Sequence, residues 1–354
     1  MSADFGVLGV AVGHASDNDG ATGLTVIRGV DAPLRAGAAV FGRATGSREL
    51  HSLNVDHLVD RIDALMLTGG SAYGLDAAAG VMRWMEERGR GFAVGGGVVP
   101  IVPAAVVFDL TPLGRFDARP TPAMAYDACD RASTSEIAEG SVGAGTGATV
   151  GKVAGAGSAM KGGLGCALES ASASGPHVGA IAVVNALGDV RDAAGRIIAG
   201  ARAPGSRGVS GWRFLDTAAL VARGDRGDRG DRGQRREATN PSGGGLQNTT
   251  LAAVISSVPL GRVELGQLAR AAGAALFRRI TPTGTTVDGD VVFALAPMPP
   301  REQHVNTAIN ALGAAMQIEA LAVVALERAI ERAVRLARGR DGVPGLADEE
   351  ESAA

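Results

Sequence analysis

Thr249 follows Asn248 at the point where a charged, glycine-rich stretch gives way to an alternating apolar one. A threonine hydroxyl attacks a carbonyl only when a base takes its proton, and one compact base is the residue's own α-amine. A free α-amine has a pKa of about 7.7–8.0, so a useful fraction is unprotonated near neutrality. That amine exists only once the Asn248–Thr249 bond is broken. The same hydroxyl can break it, by attacking the Asn248 carbonyl to give an ester that water then hydrolyses. On the residues alone, a turn running into a strand is the better reading of so common a dipeptide.

Other constellations are poorer. The run Gly143 to Lys152 imitates a phosphate loop, but Thr146 stands where glycine is needed and Val153 where Ser or Thr would hold Mg²⁺. His14, His51, His57, His177 and His304 have no metal-ligand spacing with cysteines or acids. His14, near Asp17 and Asp19, is read as part of a turn. No Gly-x-Ser-x-Gly elbow sits between a strand and a helix. Cys129 and Cys166 make neither a disulfide framework nor a metal site and are expected as buried thiols.

The elements that must carry Thr249 are legible from periodicity. Short apolar runs such as 23–27 and 37–41 predict strands in the first 60 residues. A helix is expected over 55–66, leading into Ala64-Leu65-Met66-Leu67 and a Gly69-Gly70 turn. Another is expected over 75–88, followed by a strand-like stretch over 98–110 with prolines at 100 and 103. Residues 178–190 read as strand. Residues 223–236 repeat Arg-Gly-Asp with almost no apolar residue and join Gly243-Gly244-Gly245, so 223–245 is expected to be a disordered charged loop. Then come a strand over 249–258, a helix over 264–280, a strand over 290–296 and a helix over 305–338 capped by Gly339, with an acidic frayed tail after Pro344. A mobile loop placed directly before a strand is what an internal cleavage needs.

Composition sets the class. The 354 residues are 46% hydrophobic but only 3% aromatic, so the core must be aliphatic. The 53 glycines cluster without a repeat, which suits tight turns and close backbone contacts. A net charge of −3 gives no general affinity for nucleic acid or anionic membranes. No basic, apolar leader opens the chain and no apolar run reaches the roughly 18 residues of a membrane helix, so a cytoplasmic protein is expected.

The chain resembles the DmpA-type L-aminopeptidase/D-esterase family, whose members are N-terminal-nucleophile-like and self-processing. The carriers are Val12-Gly13-His14, the run Leu67 to Asp76, Val142 to Gly147, Gly151-Lys152, Val184-Asn185, Asn248-Thr249-Thr250 and Asp288-Gly289-Asp290. The Asn-Thr-Thr junction and Asp-Gly-Asp are similar to the 6-aminohexanoate-oligomer (nylon oligomer) endo-hydrolase branch. The resemblance implies an α/β, four-layer αββα sandwich with the scissile bond opening a central strand. It implies one hydrolase domain over 1–354, cut into 1–248 and 249–354, needing no cofactor. Thr249 matches the nucleophile, Asn248 the residue before the cut, Lys152 a cation beside it, and Asn185 an oxyanion donor. Asp288 and Asp290, one residue apart and so on one face of an extended segment, match carboxylates that steady the α-amine and the lysine.

Tyr73 is the candidate for the pocket wall. Phe108 stands where some nylon-oligomer hydrolases carry a tyrosine, which removes a hydroxyl from the substrate side. The partners implied are a small-molecule or short-peptide substrate and further copies of the chain, as a tetramer of processed heterodimers. Amino-acid amides, D-amino acid esters, β-peptides and nylon-type oligomers all remain open as substrates. The alternative is an acyltransferase resembling ornithine acetyltransferases, which uses the same threonine and passes the acyl group to an amine. A non-catalytic binding protein is the remaining one.

Overall fold

The computed structural model describes residues 4–206, 211–224, 248–298 and 309–348. Ten strands form two five-stranded sheets. In chain order they are β1 (Val10–Asp17), β2 (Thr22–Gly29), β3 (Leu34–Val40), β4 (Ser47–Arg48), β5 (Ala64–Thr68), β6 (Ala104–Val106), β7 (Gly163–Ser170), β8 (His177–Asn185), β9 (Thr249–Ser256) and β10 (Val291–Pro297). The first sheet runs β1-β2-β5-β6-β4 and the second β7-β8-β9-β10-β3. Only β5/β6 and β9/β10 pair in parallel.

Alternation along each strand builds the layers. In β9, Leu251, Ala253 and Ile255 enter the core between the sheets, while Ala252 and Val254 face the helices. In β10, Val291, Phe293 and Leu295 point inward, and Val292, Ala294 and Ala296 outward. The larger residues thus fill the inter-sheet core, which also takes Val12, Ile27, Leu65 and Leu67 of the first sheet. Small residues on the outer face let a helix approach closely. A side chain at Gly165 of β7 would sit 2.1 Å from the Ala329 carbonyl of the long helix α5 (Ile309–Arg335).

The helices α3 (Arg262–Ala272) and α4 (Ala274–Arg279) complete the layer on the second sheet. The first sheet is covered by α1 (Ala78–Glu86) and α2 (Pro122–Asp130), α2 beginning where the Thr121 hydroxyl accepts from Met124 N–H. The architecture is the four-layer αββα sandwich that the resemblance implies.

Several local expectations differ. Residues 55–63 are not helical. Residues 54–57 close a turn through His57 N–H to the Asn54 carbonyl at 3.1 Å, and Leu34 and Ile62 exchange both backbone hydrogen bonds, at 2.9 and 2.8 Å, which holds the chain at 62 extended just before β5. The stretch 98–110 is broken, with Gly97–Val99 pairing in a separate hairpin and β6 starting only at Ala104, because Pro100 and Pro103 have no N–H to give a ladder. His14 is mid-strand in β1, not in a turn.

Two expected elements lie partly outside the described residues: 225–245 of the charged loop, and 305–308 of the last helix. The tail is anchored as far as Asp348, whose carboxylate accepts from Gly339 N–H and Gly345 N–H, both at 2.9 Å. Gly339 therefore closes a turn beyond the helix end at Arg335. Residues 349–354 are outside the described set.

Candidate active site

β9 opens with Thr249, and its antiparallel register with β8 sets Thr249 directly opposite Asn185. Both have the parity of the inward-facing residues of their strands, which places them at the end of the inter-sheet core. Thr249 is 5% exposed. Its hydroxyl donates to the Asn248 carbonyl oxygen at 2.6 Å and so lies against the Asn248–Thr249 bond.

Asn185 is held on three sides. Its Oδ1 accepts from Thr149 N–H at 3.1 Å and from the Lys152 ammonium at 3.0 Å, and its Nδ2 donates to the Phe108 carbonyl at 2.9 Å. Those partners fix which end of the amide is which. Lys152 also donates to the Asn185 carbonyl and to Thr149 O, at 3.2 and 2.9 Å. Burial pulls the Lys152 ammonium down to about 7, against the opposing pull of the Asp288 carboxylate.

The two carboxylates are close by but hold other groups. Asp290 accepts from Thr250 N–H at 2.6 Å with one oxygen, and from the Thr283 hydroxyl and Gly284 N–H with the other. Burial and neighbouring Asp288 push Asp290 up to about 6. Asp288 accepts from the Thr285 hydroxyl and N–H. Asp290 thus fixes Thr250, the residue after Thr249, through its backbone. Asp288 acts on Lys152 through its field.

The structure therefore brings together Thr249, Asn248, Asn185, Lys152, Asp288 and Asp290. Phe108 joins them through its carbonyl, not its ring. Tyr73 has other neighbours: its ring lies beneath the Arg119 guanidinium at 3.5 Å and edge-on to Phe116, and it is half exposed.

Four participants escaped the sequence reading. Thr149 supplies both a donor to Asn185 and an acceptor to Lys152. Gly289 faces the Thr249 hydroxyl, 2.6 Å from where a Cβ would sit. Lys161, fully buried, donates to the carbonyls of Gly145, Thr146 and Ala148 at 3.4, 2.8 and 2.8 Å. The glycine-rich run thus turns carbonyls toward a cation, the reverse of the N–H cradle a phosphate needs. Asp109, pushed up to about 6 by burial, accepts from the Thr22 hydroxyl and Gly70 N–H and faces Lys161 electrostatically. One signal was available. The chain has only two lysines, Lys152 and Lys161, among 34 basic residues. Lysine is the basic residue whose pKa moves on burial, whereas arginine stays charged.

Among the described residues there is no group of three His, Cys, Asp or Glu able to hold a metal, His304 lying outside them. Cys129 and Cys166 are both buried thiols. No described helix is long and apolar enough to cross a membrane.

The family model described as peptidase family S58 matches residues 5–347. An uncharacterized aminopeptidase of Mycobacterium tuberculosis is 39% identical over 307 residues, 84% of this chain and 81% of the relative. A 6-aminohexanoate-oligomer endohydrolase of Kocuria sp. is 29% identical over 325 residues, 87% of this chain and 80% of the relative. The L-aminopeptidase D-Ala-esterase/amidase of Ochrobactrum anthropi, described as a variant of the Ntn hydrolase fold, superposes with a TM-score of 0.68 at 19% identity. That match covers 97% of this chain and 90% of that one.

Proposed function

The chain belongs to peptidase family S58 and is a hydrolase of peptide or amide bonds, and on that premise we propose a self-processing enzyme whose nucleophile is Thr249. Cleavage of the Asn248–Thr249 bond yields chains 1–248 and 249–354 and frees the α-amine that activates the hydroxyl. In turnover Thr249 attacks the carbonyl of an amino-acid amide, short peptide or related oligomer. The α-amine takes the hydroxyl proton and passes it to the leaving amine, and water then hydrolyses the acyl-threonine. Asn185, oriented by Thr149, Lys152 and Phe108, donates to the tetrahedral oxyanion. Lys152, with its ammonium drawn down toward neutrality, and the Asp288 and Asp290 carboxylates set the charge around the amine.

The observation that carries this reading is the Thr249 hydroxyl lying 2.6 Å from the Asn248 carbonyl oxygen, on the strand position facing Asn185. Cleavage would leave the products interleaved. In the second sheet β9 and β10 of the second product lie between β8 and β3 of the first.

Denaturing mass spectrometry tests it. The purified chain is expected as two fragments, one beginning at Thr249, active on amino-acid amides. Thr249→Ala is expected as one intact, inactive chain. A Thr249→Ala protein that is cleaved and active refutes the mechanism.

A further inference from the structure

The scissile carbonyl has a second donor. The Asn248 oxygen, besides the Thr249 hydroxyl, accepts from the backbone N–H of Gly289 at 2.9 Å. This contact belongs to an isolated parallel bridge, Asn248 with Asp288, in the same register as the β9/β10 ladder that resumes at Leu251 and Val291. Between the two, the ladder is interrupted where the Asp290 side chain takes Thr250 N–H.

We infer that the Gly289 N–H is the oxyanion donor for self-cleavage, and that residue 289 is glycine because the attacking oxygen occupies the space of a side chain. The inference rests on the self-processing reading above. A Cβ at 289 would lie 2.6 Å from Thr249 Oγ1 and 2.8 Å from the Ala44 carbonyl oxygen. The first contact involves the reacting atom itself. The second involves backbone that has little room to yield, because Phe41 N–H and Ala44 N–H are bound to the Asp290 and Asp288 carbonyls, each at 2.9 Å. The segment 41–45 and the Asp-Gly-Asp turn therefore clamp one another around the nucleophile.

The step runs as follows. Thr249 Oγ forms a bond to the Asn248 carbonyl carbon, and the carbonyl π pair moves onto the oxygen that Gly289 N–H already contacts. The C–N bond of Asn248–Thr249 then breaks, and the proton lost by the hydroxyl ends on the departing nitrogen. The product is an ester of Asn248 on the Thr249 oxygen, which water cleaves to the Asn248 carboxylate and the free hydroxyl. A donor already in place at the carbonyl stabilises charge as it develops, with no reorganisation.

The test deletes the donor without adding an atom to the site. Gly289→glycolate, introduced as an α-hydroxy acid, converts the Asp288–Gly289 amide into an ester, replaces the N–H with an oxygen that cannot donate, and weakens the Asp288 carbonyl that Ala44 N–H contacts. Cleavage is followed by denaturing mass spectrometry in the full-length chain, with the parent and Thr249→Ala alongside. Loss of one oxyanion donor is expected to slow cleavage by about 10²–10³-fold. Gly289→Ala, which keeps the N–H but crowds the hydroxyl, is expected to slow it as well; cleavage of either variant at the parent rate overturns the corresponding half of the inference. A parent chain that never cleaves, or a Thr249→Ala chain that does, sinks the self-processing reading and this inference with it.

Discussion

In the proposed mechanism Lys152, drawn down by burial, and the α-amine that cleavage would free on Thr249 both titrate near neutrality, and the uncleaved chain separates them. Before cleavage the Thr249 nitrogen is an amide and has no titration there, so the pH dependence of self-cleavage reports on the other groups. Burial holds Lys152 at about 7, while Asp290 sits near 6. With Lys152 as the proposed base for the hydroxyl, reached across the Asn185–Thr249 strand pair, loss of its proton as pH rises through 7 makes it competent to accept one. The cleavage rate of freshly made precursor is therefore expected to climb between pH 6 and 8. Lys152→Arg, which stays charged, should flatten that limb and slow cleavage by about 10²-fold, the lower end for loss of a general base. A limb that survives unchanged in Lys152→Arg assigns the titration to another group. Timed denaturing mass spectrometry over pH 5–9 measures both.

At the scale of elements, the site hangs from one strand pairing and one turn. The β8/β9 register places Asn185 opposite Thr249, and the 145–149 turn orients Asn185 from the other side. Lys161 holds that turn by three carbonyls. Lys161→Met would leave the Thr146 carbonyl buried without its donor, at about 1–3 kcal/mol for an unsatisfied group, while the Gly145 and Ala148 carbonyls keep the N–H groups of Ala148 and Gly162. The expected loss is therefore about 2 kcal/mol, read by urea unfolding in a Thr249→Ala background that stays one chain. No change in the unfolding midpoint contradicts this role.

Much of the pairing was legible. The Thr249 strand and the 178–190 stretch announce themselves by β-branched and small apolar alternation, as does the run from Asp290. Thr249, Asn185, Lys152 and the two aspartates were legible because short motifs carried them. What escaped is long-range. The Leu34–Ile62 bridge overrides an apparently helical pattern at 55–63, and Lys161 acquires its role only when the glycine-rich turn folds back over it. Gly289 reads in the sequence as mere turn chemistry, since its contact with Thr249 Oγ1 exists only once β9 and β10 lie side by side. Tyr73 shows the converse, a motif residue whose ring the fold commits to Arg119 and Phe116.

For the whole molecule, an almost purely aliphatic sandwich has buried titratable groups of both signs, and their linkage fixes how stability follows pH. Asp109 and Asp290 have folded values near 6, above 3.8, so between about 4 and 6 the native state binds more protons and stability falls as pH rises. His14, drawn down to about 4 by burial, opposes this over the same range with a single proton, leaving the carboxyls dominant. Lys152 and Lys161 have folded values near 7, below 10.5, so from pH 7 upward the unfolded state binds more protons and stability rises. Burial raises the Cys129 thiol to about 12 and Cys166 well above 9, so past pH 9 the native state holds these protons longer and their contribution falls. Two lysines rising against two cysteines falling give a plateau above pH 9. The Thr249→Ala chain is therefore expected to be least stable near pH 6–7 and to gain a few kcal/mol by pH 9. Calorimetric melting across pH 5–10 checks this. A Tm that declines steadily from pH 7 to 9 would mean that the two lysines keep their protons in the folded chain, and that Lys152 cannot serve as a base there.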